Sequence, residues 1–428
     1  MGWERMTHAN ATASIQEERS TGTPAPHSPG GAPAHPLRVA MLTALFPPSI
    51  GGIQSHTLRL SQKLVERGVE VHVVTRSGPG LPVFERMVGV RVHRVGIPDA
   101  TGAVGSLAFM AEALRAVVRL RGSFDVLHAH QLLSPATVGL AASALTGLPL
   151  IVNPHACGDI GDVGILSATR FGRLRLATVM HRADAFVAVS RAIHDELIGA
   201  GAPPGAVWDI VNGVDTDRFS PVAPRERLAL RRSLLLGEQP LVAYTGRLAR
   251  EKGVDVLVEA WPHLLARVPD ARLCLLGDGR EEARLRLQAR ALGVEASVEF
   301  LGGAPDVAPY LRAADAAVLP SRNEGMPVAL LEAMSCALPV VATAVGGSLE
   351  VVRDGATGRL VPTEAPAALG EALAEALLDP AARARGVAAR EHVLAHFAMD
   401  LIADRFLALY QTLTSRRATA PGGGPGTR

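Results

Sequence analysis

Glu324 and Glu332 stand with seven residues between them inside LPSRNEGMPVALLEAMSCALPVVAT (Leu319–Thr343). The apolar run before them reads as a strand ending at Pro320. A loop then carries Glu324-Gly325, a helix starts near Pro327, and a second strand follows from Leu338. Backbone amides from Met326 through Pro327, Val328 and Ala329 to Leu330 would emerge from that helix start. With the helix dipole they make an anion site. Gly325 lets a phosphate approach the main chain, because no Cβ stands in the way. A carboxylate beside a phosphate would repel it, so the two acids are expected to face neutral hydroxyls on either side of a diphosphate. Read alone, the same pair would be a solvated helix acid and a helix-start acid.

A second cluster, YTGRLAREKG (Tyr244–Gly253), follows another strand and places Arg247 and Lys252 at its end. Two cations there could neutralise a departing diphosphate, a role that a divalent metal fills elsewhere. Lys63 and Lys252 are the only lysines of the chain. Where plain positive charge suffices the sequence uses arginine, so Lys252 stands out. In SIGGIQSH (Ser49–His56), Gly51 and Gly52 precede a helix and offer a further backbone approach, with His56 one turn inside and assigned to packing. NPHACGD (Asn153–Asp159) ends a strand, and His155 would reach from there into a cleft. Cys157 has no resolving partner or base. His128 and His130 share one face of a strand and read as structural.

The elements that must hold these residues alternate. Short β-rich runs separated by amphipathic stretches begin at Leu37, the pattern of parallel sheets. Seven strands are predicted in the first half: Arg38–Leu45, Val69–Arg76, Val90–Val95, Asp125–His130, Pro149–Asn153, Ala185–Ser190 and Ala206–Val211. Five follow in the second: Leu241–Gly246, Ala271–Gly277, Ser297–Gly302, Ala316–Pro320 and Leu338–Thr343. The fold class is therefore α/β, with two doubly wound sheets whose strand ends share a cleft. Domains are expected over 37–216 and 240–398, with a charged linker at 217–239 and a closing helix over Met399–Ser415. Residues 1–36 and 416–428, rich in Pro, Gly and polar residues, read as disordered. Leu132–Val152 holds no charge, but Ser134-Pro135 and Gly147-Leu148-Pro149 divide it into a helix and a strand rather than a membrane span.

Composition narrows the classes further. The chain has 428 residues, enough for two cores, and 43 basic against 41 acidic side chains announce no nucleic-acid partner. Cys157, Cys274 and Cys336 lack metal-ligand spacing, so no metal is expected. No signal peptide is visible, which points to a cytoplasmic protein. A dinucleotide oxidoreductase is disfavoured, since GxGxxG is missing and the second strand ends Thr75-Arg76 instead of in an acid. A two-lobed sugar-binding protein without catalysis remains a rival; it should be exported.

Taken together, GG-x3-H at Gly51–His56, VNGVDTDRF at Val211–Phe219, GRLAREKG at Gly246–Gly253, GDG at Gly277–Gly279, Glu324–Thr343 and GGSLEVVRDGATGRLVP at Gly346–Pro362 resemble glycosyltransferase family 4. The resemblance runs from about Leu37 to Ser415. It implies the GT-B fold and a retaining, metal-independent transfer from a nucleotide-diphosphate sugar, which serves as co-substrate with no further cofactor. It also implies that Glu324 contacts the donor sugar and Glu332 the ribose. Arg247 and Lys252 would bind the diphosphate, and His155 would lie near the anomeric carbon. The last helix is expected to cross back to the first domain. An epimerase or an inverting transferase on the same scaffold remains the rival enzyme. Donors such as UDP-glucose, UDP-N-acetylglucosamine and GDP-mannose, and the acceptor, stay open. One further partner is considered: the arginines of Ser167–Arg182, with Phe171, Leu174 and Thr178, could rest on an anionic membrane. The competing reading is an ordinary helix packed on its sheet.

Overall fold

A computed structural model of the protein describes residues 35–49, 51–98, 100 and 102–418. The expected leader, apart from residues 35 and 36, and the tail beyond 418 lie outside the described residues. Fourteen strands form two sheets among them. The first contains β1 (Arg38–Leu42), β2 (Glu70–Arg76), β3 (Phe84–Met87), β4 (Val90–Val95), β5 (Val126–His130), β6 (Leu150–Asn153), β7 (Ala185–Ala188) and β8 (Val207–Asp209). Its order is β3-β4-β2-β1-β5-β6-β7-β8, parallel except for β3, which runs antiparallel to β4. The second holds β9 (Leu241–Thr245), β10 (Arg272–Leu276), β11 (Val298–Gly302), β12 (Ala316–Leu319), β13 (Val340–Thr343) and β14 (Arg359–Val361). There the order is β11-β10-β9-β12-β13-β14, all parallel.

Both orders reverse direction once, between β1 and β5 and between β9 and β12. At such a switch point the flanking helices leave to opposite faces and open a crevice beyond the strand ends. The central strands are buried along their whole length, as β5 and β9 are, because helices cover both faces. This explains why they read as continuous apolar runs. β3 and β14 are additions to the predicted set. β3 is a four-residue edge strand with exposed and half-buried positions, and β14 has only three residues.

Two readings of the sequence need correction. Residues 217–239 hold a helix, Pro224–Ser233, whose buried Arg231 donates to Asp315 (2.5 Å) and to the Ala313 carbonyl (2.8 Å) beside β12. The stretch is tied to the second sheet by charge instead of apolar periodicity. The closing helix runs Met399–Ala418, three residues further than expected, with Arg416 and Arg417 in its last turn where cations favour the dipole. This helix lies on the first sheet's side: Lys63 and Arg67 reach Asp400 (both 3.2 Å), and Arg67 also reaches Asp404 (2.6 Å). The uncharged segment resolves into the helix Ser134–Thr146, capped by Gly147 in a left-handed turn, and β6. No helix among the described residues is long and apolar enough to cross a membrane.

Candidate active site

The loop after β12 and the loop after β9 meet at the second sheet's switch point. Glu324, only 7% exposed, accepts from Lys252 Nζ at 2.7 Å and from Ser321 Oγ at 2.6 Å. Arg322 fixes the two loops to one another. Its guanidinium donates to both oxygens of Asp255 (2.8 and 3.0 Å), to the Arg250 carbonyl (2.7 Å) and to Glu364, while its amide donates to Glu251 O (2.8 Å). Lys252 and Glu324 thus meet because a planar, multiply bonded arginine beside them holds the backbone on either side. Neither Arg322 nor Ser321 was singled out from sequence. Their adjacency to Glu324 in LPSRNEG was the available signal.

Behind this pair the Glu324 carbonyl lies against Gly346, which has a φ of +43°; any side chain there would collide with that carbonyl. Gly325 has a similar role toward the first lobe, since a Cβ on it would run into the His155 carbonyl. The close approach it permits in this structure is thus to the first-lobe main chain. Asn323 Nδ2 donates to Cys157 O (3.3 Å) at the same junction. Burial, with Glu196 nearby, pushes the Cys157 thiol above its usual range, so it is not a ready nucleophile.

The helix after the loop runs Val328–Ser335. Pro327 carries no N–H, and the Leu330 amide already donates to Pro327 O (3.0 Å), which corrects the five-residue donor set. The amides of Met326, Val328 and Ala329 remain as donors. Met326, Pro327 and Leu330 bury their side chains, whereas Gly325, Val328, Ala329 and Glu332 are half-buried on one strip. Glu332 makes no side-chain hydrogen bond or ion pair among the described residues. Loss of solvent pushes its carboxyl up to about 8 against the opposing pull of Arg218. Arg247 does not join the Lys252–Glu324 pair. Its side chain is 67% exposed and rests on Glu251 (2.8 Å).

The facing wall belongs to the first sheet. His155 is half-buried after β6, with its Nε2 3.2 Å from His130 Nδ1 and the two rings stacked. His56, inside the helix Gly52–Glu66, meets the His155 ring edge-on. His128 adjoins His130 along β5. Burial drives all four imidazoles toward the neutral form, His56 to about 4 and His128 to about 3. Gly51 and Gly52 open the helix that carries His56, and open space surrounds Gly52. Gln131, the residue after β5, has a φ of +94° without being glycine, a strain of the kind that collects at functional strand ends. Residue type gave no hint of it. No cluster of three or more His, Cys, Asp or Glu among the described residues is placed to hold a metal ion.

An ammonium–carboxylate pair and free helix-start amides at one switch point, opposite a neutral polar wall, suit the handling of a sugar joined to a diphosphate. Residues 226–392 match the profile of Glycosyl transferases group 1, and residues 50–218 match Glycosyltransferase Family 4. The D-inositol 3-phosphate glycosyltransferase of Xylanimonas cellulosilytica is 34% identical over 415 residues, covering 89% of this chain and 98% of its own. The chain belongs to glycosyltransferase family 4.

It is accordingly an enzyme, and the oxidoreductase and non-catalytic readings fall away. A second relative, the D-inositol 3-phosphate glycosyltransferase of Actinosynnema mirum, is 36% identical over 359 residues, with 78% of this chain and 85% of its own covered. Among solved structures, sucrose-phosphate synthase from Thermosynechococcus elongatus superimposes with a TM-score of 0.76 at 26% identity, covering 89% of this chain and 100% of its own. Anabaena HepE, solved with UDP-glucose, gives a TM-score of 0.71 at 22% identity, over 88% and 100%. The fold of this glycosyltransferase is GT-B.

Proposed function

We propose that the enzyme transfers a hexose from a nucleotide-diphosphate sugar to a hydroxyl acceptor, with retention at the anomeric carbon and without a metal ion. The observation that carries this is the Lys252–Glu324 pair beside the Val328 and Ala329 amides. In the free enzyme each partner neutralises the other. When donor binds, the diphosphate takes Lys252 and the amides, and the sugar hydroxyls take Glu324. Arg247, held only by exposed contacts, swings from Glu251 to the same phosphates. Glu332 accepts from the ribose, and His155 meets the transferred sugar from the opposite wall. The sugar C1–O bond to phosphate breaks as the acceptor oxygen bonds to C1 on the same face. The acceptor's proton passes to the leaving phosphate oxygen. The protein's part is to hold the charge that grows on that phosphate.

HepE's ligand makes UDP-glucose the first donor to test, and the names of the relatives make D-inositol 3-phosphate the first acceptor. Thermal-shift screening of nucleotide sugars, followed by NMR of the product formed in EDTA, tests the whole reading. An axial product from an axial donor, formed with chelator present, supports it. An inverted product, epimerised donor, or activity recovered only with Mg²⁺ or Mn²⁺ overturns it.

A second reading of the acceptor rests on the helix Arg170–Arg182, which begins after its Thr169 cap. It buries Leu176, Val179 and Met180, yet Phe171 and Leu174 are 77% and 67% exposed, beside the exposed Arg170, Arg173 and Arg182. Such a surface suits an anionic bilayer, each basic residue adding about 1 kcal/mol, and would bring the first lobe to a lipid-linked acceptor at the inner face of a membrane. Co-sedimentation with anionic but not neutral vesicles, lost in Phe171→Ser/Leu174→Ser, supports it. Protein left in the supernatant with both vesicle types removes it.

A further inference from the structure

The first-lobe wall is tied to the C-terminal helix by a chain of buried polar groups that the proposed reaction does not use. Tyr410 is fully buried on Met399–Ala418, and its hydroxyl lies 2.9 Å from His128 Nδ1. The hydroxyl has no other partner among the described residues, so its proton is satisfied only if it donates to Nδ1. A neutral imidazole that accepts at Nδ1 carries its hydrogen on Nε2. His128 Nε2 and Asn153 Oδ1 are both orphaned buried atoms, as are His130 Nε2, His155 Nδ1 and both ring nitrogens of His56 in the same cluster. Asn153 pairs in register with His130 on the neighbouring strand and interacts with His128. Of these orphans, His128 Nε2 is then a donor and Asn153 Oδ1 an acceptor. Asn153 cannot present its amide nitrogen there, because Nδ2 already donates to Val187 O (3.2 Å) and Pro154 O (3.3 Å). Pro154 immediately precedes His155.

We propose that Tyr410 is a positioning residue for His155, acting through His128 and the Asn153 carboxamide on the turn that carries it. The helix that follows the second lobe therefore sets the geometry of the first-lobe wall. This rests on the reading of His155 as a group that meets the transferred sugar. Tyr410→Phe removes one oxygen from a packed ring and leaves its volume in place. The variant should melt like the parent and keep the parent's KM for the nucleotide sugar, while kcat falls roughly tenfold. In a His155→Ala background the same change should cost nothing further, since the group being positioned is gone. An unchanged kcat in Tyr410→Phe, or an equal loss in both backgrounds, overturns the proposal. Histidine side-chain ¹⁵N NMR reads the relay without reference to catalysis. The tautomer signature of His128 and the ring shifts of His155 must both move in Tyr410→Phe, and static spectra would refute the relay. Full activity in His155→Ala, with those shifts still moving, would discard the role of His155 and leave the relay intact.

Discussion

The two walls of the cleft handle polarity in opposite ways. The second-lobe wall stores full charges and cancels each against a neighbour: Lys252 on Glu324, Arg322 on Asp255 and Glu364, Arg247 on Glu251. The first-lobe wall stores hydrogen-bonding capacity without charge, in four imidazoles that burial keeps neutral. A ligand with an anionic end and a neutral, hydroxyl-rich end is oriented by that difference alone. Lys252, already paired and largely out of water in the free state, can change partners with little further desolvation, which makes the second wall the one that responds when charge moves.

The largest effect should come from breaking the charged wall at its centre. Lys252→Ala and Glu324→Ala should each lower kcat by about a thousandfold, the scale of losing a positioned electrostatic group, while circular dichroism still reports a folded protein. Turnover near the parent level in either variant would remove that residue from the site. Arg322→Ala attacks the frame instead of the pair. It should lower kcat about a hundredfold by letting the two loops drift, and cost roughly 1–3 kcal/mol in urea unfolding because Asp255 loses its best partner.

The neutral wall is tested by acid. Histidines whose folded pKa lies below the unfolded 6.5 contribute nothing above that pH. Below it, the unfolded chain takes up protons that the folded one refuses. Stability should therefore fall from pH 6.5 toward about 4 for His56, with each such histidine adding a slope of about 1.4 kcal/mol per pH unit. Urea midpoints across that range should show the fall, and His56→Asn should make it shallower by one histidine's share while the others remain. The smallest effect concerns Glu332, where a carboxyl lies between the two regimes. With its folded pKa at about 8, it becomes the stronger acceptor for ribose hydroxyls once ionised, so nucleoside-diphosphate affinity should rise several-fold between pH 6.5 and 8.5. Calorimetry with Glu332→Gln should retain only the pH dependence of the ligand's own phosphates.

What the sequence made legible follows the same division. β4 was read to the residue because Val90 and Val92 alternate with Arg91 and His93 at strand spacing, and the Glu324–Glu332 loop because strand, glycine and helix start coincide. β3 escaped, since FERM offers neither alternation nor length and gains its pairing only from β4. The helix Pro224–Ser233 escaped because an ion pair across 84 residues holds it, and such partners leave no periodic trace. The Arg322–Asp255 contact, 67 residues apart, was hidden for the same reason. Local pattern reveals elements; long-range charge pairing becomes visible only when the sheets are assembled.

The chain passes between the sheets twice, after β8 and before the helix Met399–Ala418. The two passages are not independent. Val214 pairs with Ala398, through Val214 N to Phe397 O at 2.8 Å and Met399 N to Val214 O at 2.9 Å. Gly213 lies so close to Met399 and Ile402 that a Cβ there would press on both. A single cord would act as a swivel and leave twist and tilt equally free. Two cords stitched side by side behave as the pin of a door: rotation about their common line stays soft, and twist across it is resisted. An opening and closing of the cleft would then retrace one arc and bring the charged and neutral walls back into the same register.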